Sequence, residues 1–179
     1  MLLTKDCLFI EIPRTGTDTV RECFDLEPSD LPRHITLSEY LKLRPEHSKK
    51  KRITIVRNPF DRVASLYEHT KAFHSVGTFD EFVEWFVSPQ PNITRDNIRQ
   101  TQFDMLSIGK LAVNYVGKFE ELESELIHIS IIYPIRQLNQ IRVTNKYKYK
   151  PYQEYYNERT EKLISDFCKK DLDLFDYEY

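Results

Sequence analysis

Twice in its first third the chain runs from a short β-prone segment through a turn into a helix start. That repeated order restricts the fold more than any other feature. The first case is Leu8-Phe9-Ile10-Glu11-Ile12, stopped by Pro13-Arg14-Thr15-Gly16. The second is Arg52-Ile53-Thr54-Ile55-Val56, reached through a lysine-rich turn at Lys49-Lys50-Lys51 and stopped at Asn58-Pro59. Short apolar, β-branched runs bounded by turn residues read as strands. Strands that alternate with helices build an α/β fold with a central parallel sheet flanked by helices. Residues 114–118 would add a third strand, followed by an acidic helix from Phe119.

Helix starts are marked by capping residues. Thr17 or Asp18 would cap the first helix, which carries Val20, Cys23 and Phe24 on one side. Thr36 with Glu39, and Thr78 with Glu81, have capping-box spacing, and Ile35 with Tyr40 forms a hydrophobic staple. Asn58-Pro59 places a cap and then proline at the first helical position. Asn157 would cap the last helix, with an apolar stripe of Leu163, Ile164, Phe167 and Leu174. No repeat, low-complexity tract or composition break marks a second domain. The 179 residues therefore read as a single domain, 1–179, long enough to bury a sizeable core.

The formal net charge is −2, so long-range attraction of polyanions is not expected and any anion site must be local. Nucleic acid is accordingly not an expected partner. Cys7, Cys23 and Cys168 are far apart and show no CxxC pair, which favours reduced thiols and an intracellular setting. The first twelve residues contain Lys5 and Asp6 and resemble neither a signal peptide nor a membrane span. No later run approaches the ~18 apolar residues of a spanning helix. The expectation is a soluble cytoplasmic protein, and the sequon Asn92-Ile93-Thr94 means little without a secretory route.

Two constellations carry chemistry. In Pro13-Arg14-Thr15-Gly16-Thr17-Asp18-Thr19 a strand gives way to a helix through a glycine, the layout of a phosphate cradle. Gly16 permits close backbone approach, Arg14 adds a cation, and Thr17 or Thr19 can add a hydroxyl. The GxxxxGK[ST] spacing of a Walker A loop is absent. The plainer alternative is an ordinary strand-turn-helix connection. In the second constellation Arg57 falls where a strand's carboxyl end meets a helix, the usual ligand edge of an open α/β sheet. Phe60, Val63, Ala64 and Tyr67 form that helix's apolar stripe. Ser65 falls on the side of Asn58 and Asp61, where it can join Arg57 around a phosphate. The plainer alternative makes Ser65 a solvated serine and Arg57 a surface ion-pair partner.

Together the two segments resemble those of carbohydrate-type (family 2) sulfotransferases. The first resembles their 5′-phosphosulfate loop, I-P-K-T-G-G/T-T-S. The second matches V-R-N-P-x-D-R-x-x-S-x-Y at every specified position, from Val56 to Tyr67. Looser echoes follow in Arg99-Gln100-Thr101-Gln102-Phe103, in Val116-Gly117-Lys118-Phe119-Glu120-Glu121-Leu122, in Tyr155-Tyr156 and in the ending from Asp171 to Tyr177. The resemblance implies a P-loop-like fold and 3′-phosphoadenosine 5′-phosphosulfate (PAPS) as donor, with in-line transfer of the sulfuryl group to an acceptor hydroxyl. By position it implies that Arg14, Thr15, Gly16, Thr17, Asp18 and Thr19 hold the 5′-phosphosulfate, and that Arg57 and Ser65 hold the 3′-phosphate. The acceptor would be a glycan or small alcohol, and a bacterial or viral source fits the lack of an anchor. Arg14 stands where such enzymes have lysine. Arginine keeps the charge but does not give up a proton.

Transfer to a hydroxyl needs a proton acceptor, and histidine suits neutral pH. His34 is the candidate base, because it lies between the two phosphate segments just ahead of the Thr36 capping box. The plainer alternative is a loop histidine bonded to a backbone carbonyl. Glu11 is a rival base, while His47, His69, His74 and His128 have no supporting pattern. Lys146-Tyr147-Lys148-Tyr149-Lys150-Pro151-Tyr152 interleaves cations with aromatics, as a lid over a nucleotide, an acceptor groove or a solvated loop would. No zinc or calcium spacing occurs, and no metal is expected. Two further readings stand beside an active sulfotransferase: a degenerate homologue that binds PAPS or its product, and a P-loop-type small-molecule kinase.

Overall fold

The computed structural model describes residues 1–74, 76–89, 97–133 and 149–179. They form two compact units. One comprises Met1–Val56 with Gln102–Thr144, the other Arg57–Thr101 with Asn145–Tyr179.

The first unit holds the sheet: β1 (Leu2–Leu3), β2 (Cys7–Ile10), β3 (Glu27–Pro28), β4 (Lys51–Val56) and β5 (Tyr115–Lys118), in the order β3-β1-β2-β4-β5. β2, β4 and β5 are parallel, with Phe9 opposite Ile53 and Ile55 opposite Gly117. β2 is buried throughout and β4 from Ile53 to Val56, as expected of parallel strands covered on both faces. Thr54 is the polar interruption in β4, and its hydroxyl donates to the Ile10 carbonyl at 3.0 Å. The two-residue strands β1 and β3 pair antiparallel at the edge. They are too short to leave an alternating pattern in the sequence.

The helices of this unit are α1 (Thr17–Cys23), α2 (Leu37–Leu43), α5 (Gln102–Leu106) and α6 (Leu122–Ile132). Val20, Cys23 and Phe24 pack with Phe9, Ile53, Ile55, Leu122, Leu126 and Ile129 in one core. α2 begins at the expected capping box, where Thr36 Oγ1 accepts from the Glu39 amide and the Glu39 carboxylate accepts from the Thr36 amide. Ile35 and Tyr40 of the staple are both buried. A 3₁₀ turn over Phe119–Glu121 precedes α6, so the acidic segment after β5 enters its helix three residues late.

The second unit is helical: α3 (Pro59–Phe73), α4 (Phe79–Val87), α7 (Glu158–Phe167) and α8 (Lys169–Phe175). Asn58 caps α3 and accepts from the Phe60 amide, and Thr78 with Glu81 closes a capping box on α4. Phe60, Val63, Ala64 and Tyr67 of α3 pack with Phe79, Phe82, Val83, Phe86, Ile164 and Cys168. Arg62 is fully buried and donates to the carbonyls of Gln100 (3.0 Å) and Ile98 (3.1 Å). Burial lowers its pKa, while the charge of buried Asp171 on α8 opposes that shift. Arg99 closes the carboxyl end of α4, donating to the carbonyls of Trp85, Phe86 and Ser88.

One expectation needs correction. The last helix is two, because Cys168 leaves helical geometry (φ −97°, ψ 17°) between α7 and α8. The break shifts the phase of the stripe: Phe175 is buried and Leu174 is 51% exposed. Asn157 does cap α7, accepting from the Thr160 amide at 3.0 Å.

No described helix is long and apolar enough to cross a membrane, and no metal-holding group of His, Cys, Asp or Glu occurs among the described residues. The Asn92-Ile93-Thr94 sequon and Lys146 to Lys148 lie outside the described residues.

Candidate functional site

β2 delivers the chain into the turn that opens α1. Arg14 (φ 69°) and Gly16 (φ 77°) both take left-handed backbone conformations on either side of Thr15. Thr15 is buried, and its hydroxyl donates to the Ile12 carbonyl at 3.0 Å, which fixes the turn. The cap of α1 is Gly16 itself, with no side-chain cap, so Thr17 and Asp18 are the first helical residues and not the expected caps. A β-carbon at position 16 would lie 2.6 Å from Leu122 and 3.2 Å from the Phe119 ring. Glycine is required here by its φ and by packing against the start of α6.

Beneath this turn sits Glu11, fully buried. It accepts from Arg21 in a bidentate pair (2.7 and 2.8 Å), from Arg33 (3.0 Å) and from the Met1 α-amino group (2.9 Å). Burial works to raise its pKa, but the bonds from Arg21 and the amino group outweigh it, so the carboxyl lies below its ordinary value. A carboxylate so committed is a poor proton acceptor, which removes Glu11 as a rival base. Arg33 then donates to Thr17 Oγ1 (2.7 Å) and Asp18 (2.6 Å), so both residues belong to a network the sequence reading did not foresee. Thr19 is buried on α1.

His34 is half-buried, and its Nδ1 lies 2.9 Å from the Glu11 carbonyl. A carbonyl only accepts, so Nδ1 carries the proton and the neutral ring holds its lone pair on Nε2. Burial lowers the pKa of this histidine, and the neutral ring is the form present at neutral pH. The structure thus ties His34 to the strand that leads into Pro13-Arg14.

In the second unit, Arg57 lies just before α3 and is buried. Its Nε donates to Asp61 Oδ2 at 2.8 Å, and Nη2 lies 2.7 Å from the same oxygen, an i,i+4 pair. Nη2 also donates to the Tyr149 hydroxyl, which in turn donates to Asp61 Oδ1 at 3.1 Å. Ser65 is 1% exposed, on the second turn of α3. Burial raises the Tyr149 pKa, so it is a neutral phenol. Ser65 is therefore not a solvated serine, nor Arg57 a surface residue. Arg57 and Asp61 both bond the Tyr149 hydroxyl.

The sequence named Arg57 and Ser65 as candidates but did not pair Arg57 with the two residues that bond it here. Asp61 was legible in its i,i+4 spacing from Arg57. Tyr149, 92 positions from Arg57, left no local signal beyond the aromatic-basic run that contains it.

The described residues form a mixed α/β fold whose five-stranded sheet is mostly parallel and flanked by helices. The sulfotransferase domain family matches residues 32–95, about a third of the chain, including His34, Arg57 and Ser65. This match supports a sulfotransferase, and with it a transferase that moves a sulfuryl group from a donor to a hydroxyl. No curated protein and no solved structure matches the chain.

Proposed function

We propose that the protein transfers a sulfuryl group from PAPS to a hydroxyl of a carbohydrate or another alcohol. The observation that carries this reading is the burial of a guanidinium, Arg57, just before α3, whose second turn carries the buried Ser65. A buried cation and a buried hydroxyl are what a phosphate needs, and Asp61 holds the guanidinium in orientation. The resemblance gives these two residues the 3′-phosphate, and the matched sulfotransferase domain contains both. A 3′-phosphate distinguishes PAPS from ATP, which argues against a kinase.

When bound, PAPS supplies the activated sulfuryl group. The turn residues Arg14, Thr15, Gly16, Thr17, Asp18 and Thr19 hold its 5′ end in this reading, with Arg14 as the charged member. Arg14 stabilises charge on the departing phosphate oxygen without supplying a proton. A phosphate with a second pKa near 6 leaves adequately on charge stabilisation alone. His34 takes the acceptor's proton on Nε2, while its Nδ1–H bond to the Glu11 carbonyl fixes the ring. No metal enters the scheme.

A second reading, nucleotide binding without transfer, is favoured by one observation. Arg33 engages both Thr17 and Asp18, which draws two turn residues away from a ligand. Turnover with PAPS and a panel of sugar alcohols separates the two.

The test of the donor site is calorimetry with 3′-phosphoadenosine 5′-phosphate (PAP), comparing wild type with Arg57→Ala and using ATP and 5′-AMP as controls. Selective PAP binding that falls by about 30-fold or more in the variant is expected. Absence of PAP binding, or equal binding of 5′-AMP, would sink the reading.

A further inference from the structure

The Tyr149 hydroxyl can give one proton and accept at its oxygen, and it does both here. Its proton goes to Asp61 Oδ1, and its oxygen accepts from Arg57 Nη2. The bond it accepts comes from the buried guanidinium that a phosphate oxygen at this place would require. A phosphate oxygen and the phenol oxygen cannot both sit there.

We infer that the Tyr149 hydroxyl is an internal occupant of the anion seat built by Arg57 and Ser65, and that a bound phosphate must displace it. This rests on the reading of that seat as the site of the donor's 3′-phosphate. The exchange is chemically balanced. A neutral oxygen that satisfies the buried arginine is replaced by an anionic one that satisfies it better, because hydrogen bonds between charged partners are the stronger class. Asp61 keeps its two contacts from Arg57 and gives up only the phenol proton. Tyr149 is thus an autoinhibitory contact: it lowers the apparent affinity of every ligand that needs the seat and leaves other ligands alone.

Tyr149→Phe keeps the ring and removes only the competing oxygen. PAP should bind this variant about tenfold more tightly than wild type, while 5′-AMP, which has no group for the seat, binds both equally. A second measurement uses full-length protein with 3-fluorotyrosine at position 149. PAP should move its fluorine resonance towards the solvent-exposed value, and 5′-AMP should not. If wild type binds PAP and Tyr149→Phe binds it equally or more weakly, the tyrosine is no competitor and the inference is overturned while the donor reading stands. An unmoved resonance in the PAP complex overturns it in the same way. If neither protein binds PAP, the donor reading fails and takes this inference with it. Binding of PAP by the variant alone would support both.

Discussion

Arg14 holds a left-handed backbone conformation that costs a non-glycine residue about 1 kcal/mol or more. A side chain that merely filled a turn would be better replaced by glycine. Arg14→Gly should therefore raise thermal stability by up to about 1 kcal/mol and abolish sulfuryl transfer, as calorimetric melting and a turnover assay would report together. Unchanged turnover would show that the strained arginine does no chemistry. His34 makes a different prediction. If the histidine is the base proposed above, with Nδ1–H bonded and Nε2 accepting the proton, His34→Ala should cut kcat by about 100-fold or more while leaving the Kd for PAP unchanged. Because burial lowers its pKa, the acid limb of the wild-type rate profile should lie below the ordinary histidine value of about 6.5. A limb above that value would assign the proton transfer to another group.

At the scale of elements, local chemistry explains where helices begin. Thr36, Thr78 and Asn157 each cap a helix through a side-chain oxygen, and Asn58-Pro59 starts α3. Thr36→Ala and Thr78→Ala should each cost about 1 kcal/mol in denaturant melts, with little effect on nucleotide binding. The start of α1 obeys another rule. Gly16 caps it through a positive φ and lies against Leu122 and Phe119, so Gly16→Ala meets both backbone strain and a 2.6 Å clash. A loss of about 2 kcal/mol or more is expected, with displacement of α6 as its visible sign in hydrogen exchange.

At the scale of the whole molecule, the buried charges set the response to pH. Glu11 is held below its ordinary value, so its stabilisation is complete above the usual carboxylate range and is lost as pH falls through its lowered value. His34 is also lowered, so its contribution is complete above about 6.5 and declines as the ring becomes protonated in acid. Stability should therefore fall in two stages on acidification. Glu11→Gln should cost about 3 kcal/mol or more at neutral pH, because Arg21 and Arg33 lose a buried counter-charge, and it should erase the lower stage. Melting temperature recorded against pH for both proteins checks this, and a retained lower stage would assign it to other carboxyls.

The sequence by itself determined the three parallel strands and four of the helix starts, and it singled out His34, Arg57 and Ser65 as candidates. Each of these depends on neighbours within a few residues: β-branched runs, cap spacings, a proline after asparagine, a motif along one strand-turn-helix. Tertiary structure alone decided the rest. Tyr149 reaches Arg57 and Asp61 across some ninety positions, Arg33 joins Glu11 to Thr17 and Asp18, and Cys168 breaks the last helix and turns Leu174 outward. The physical reason is common to these cases. A buried polar group must find a partner wherever the folded chain supplies one, and a helix continues only where its next turn can also be packed.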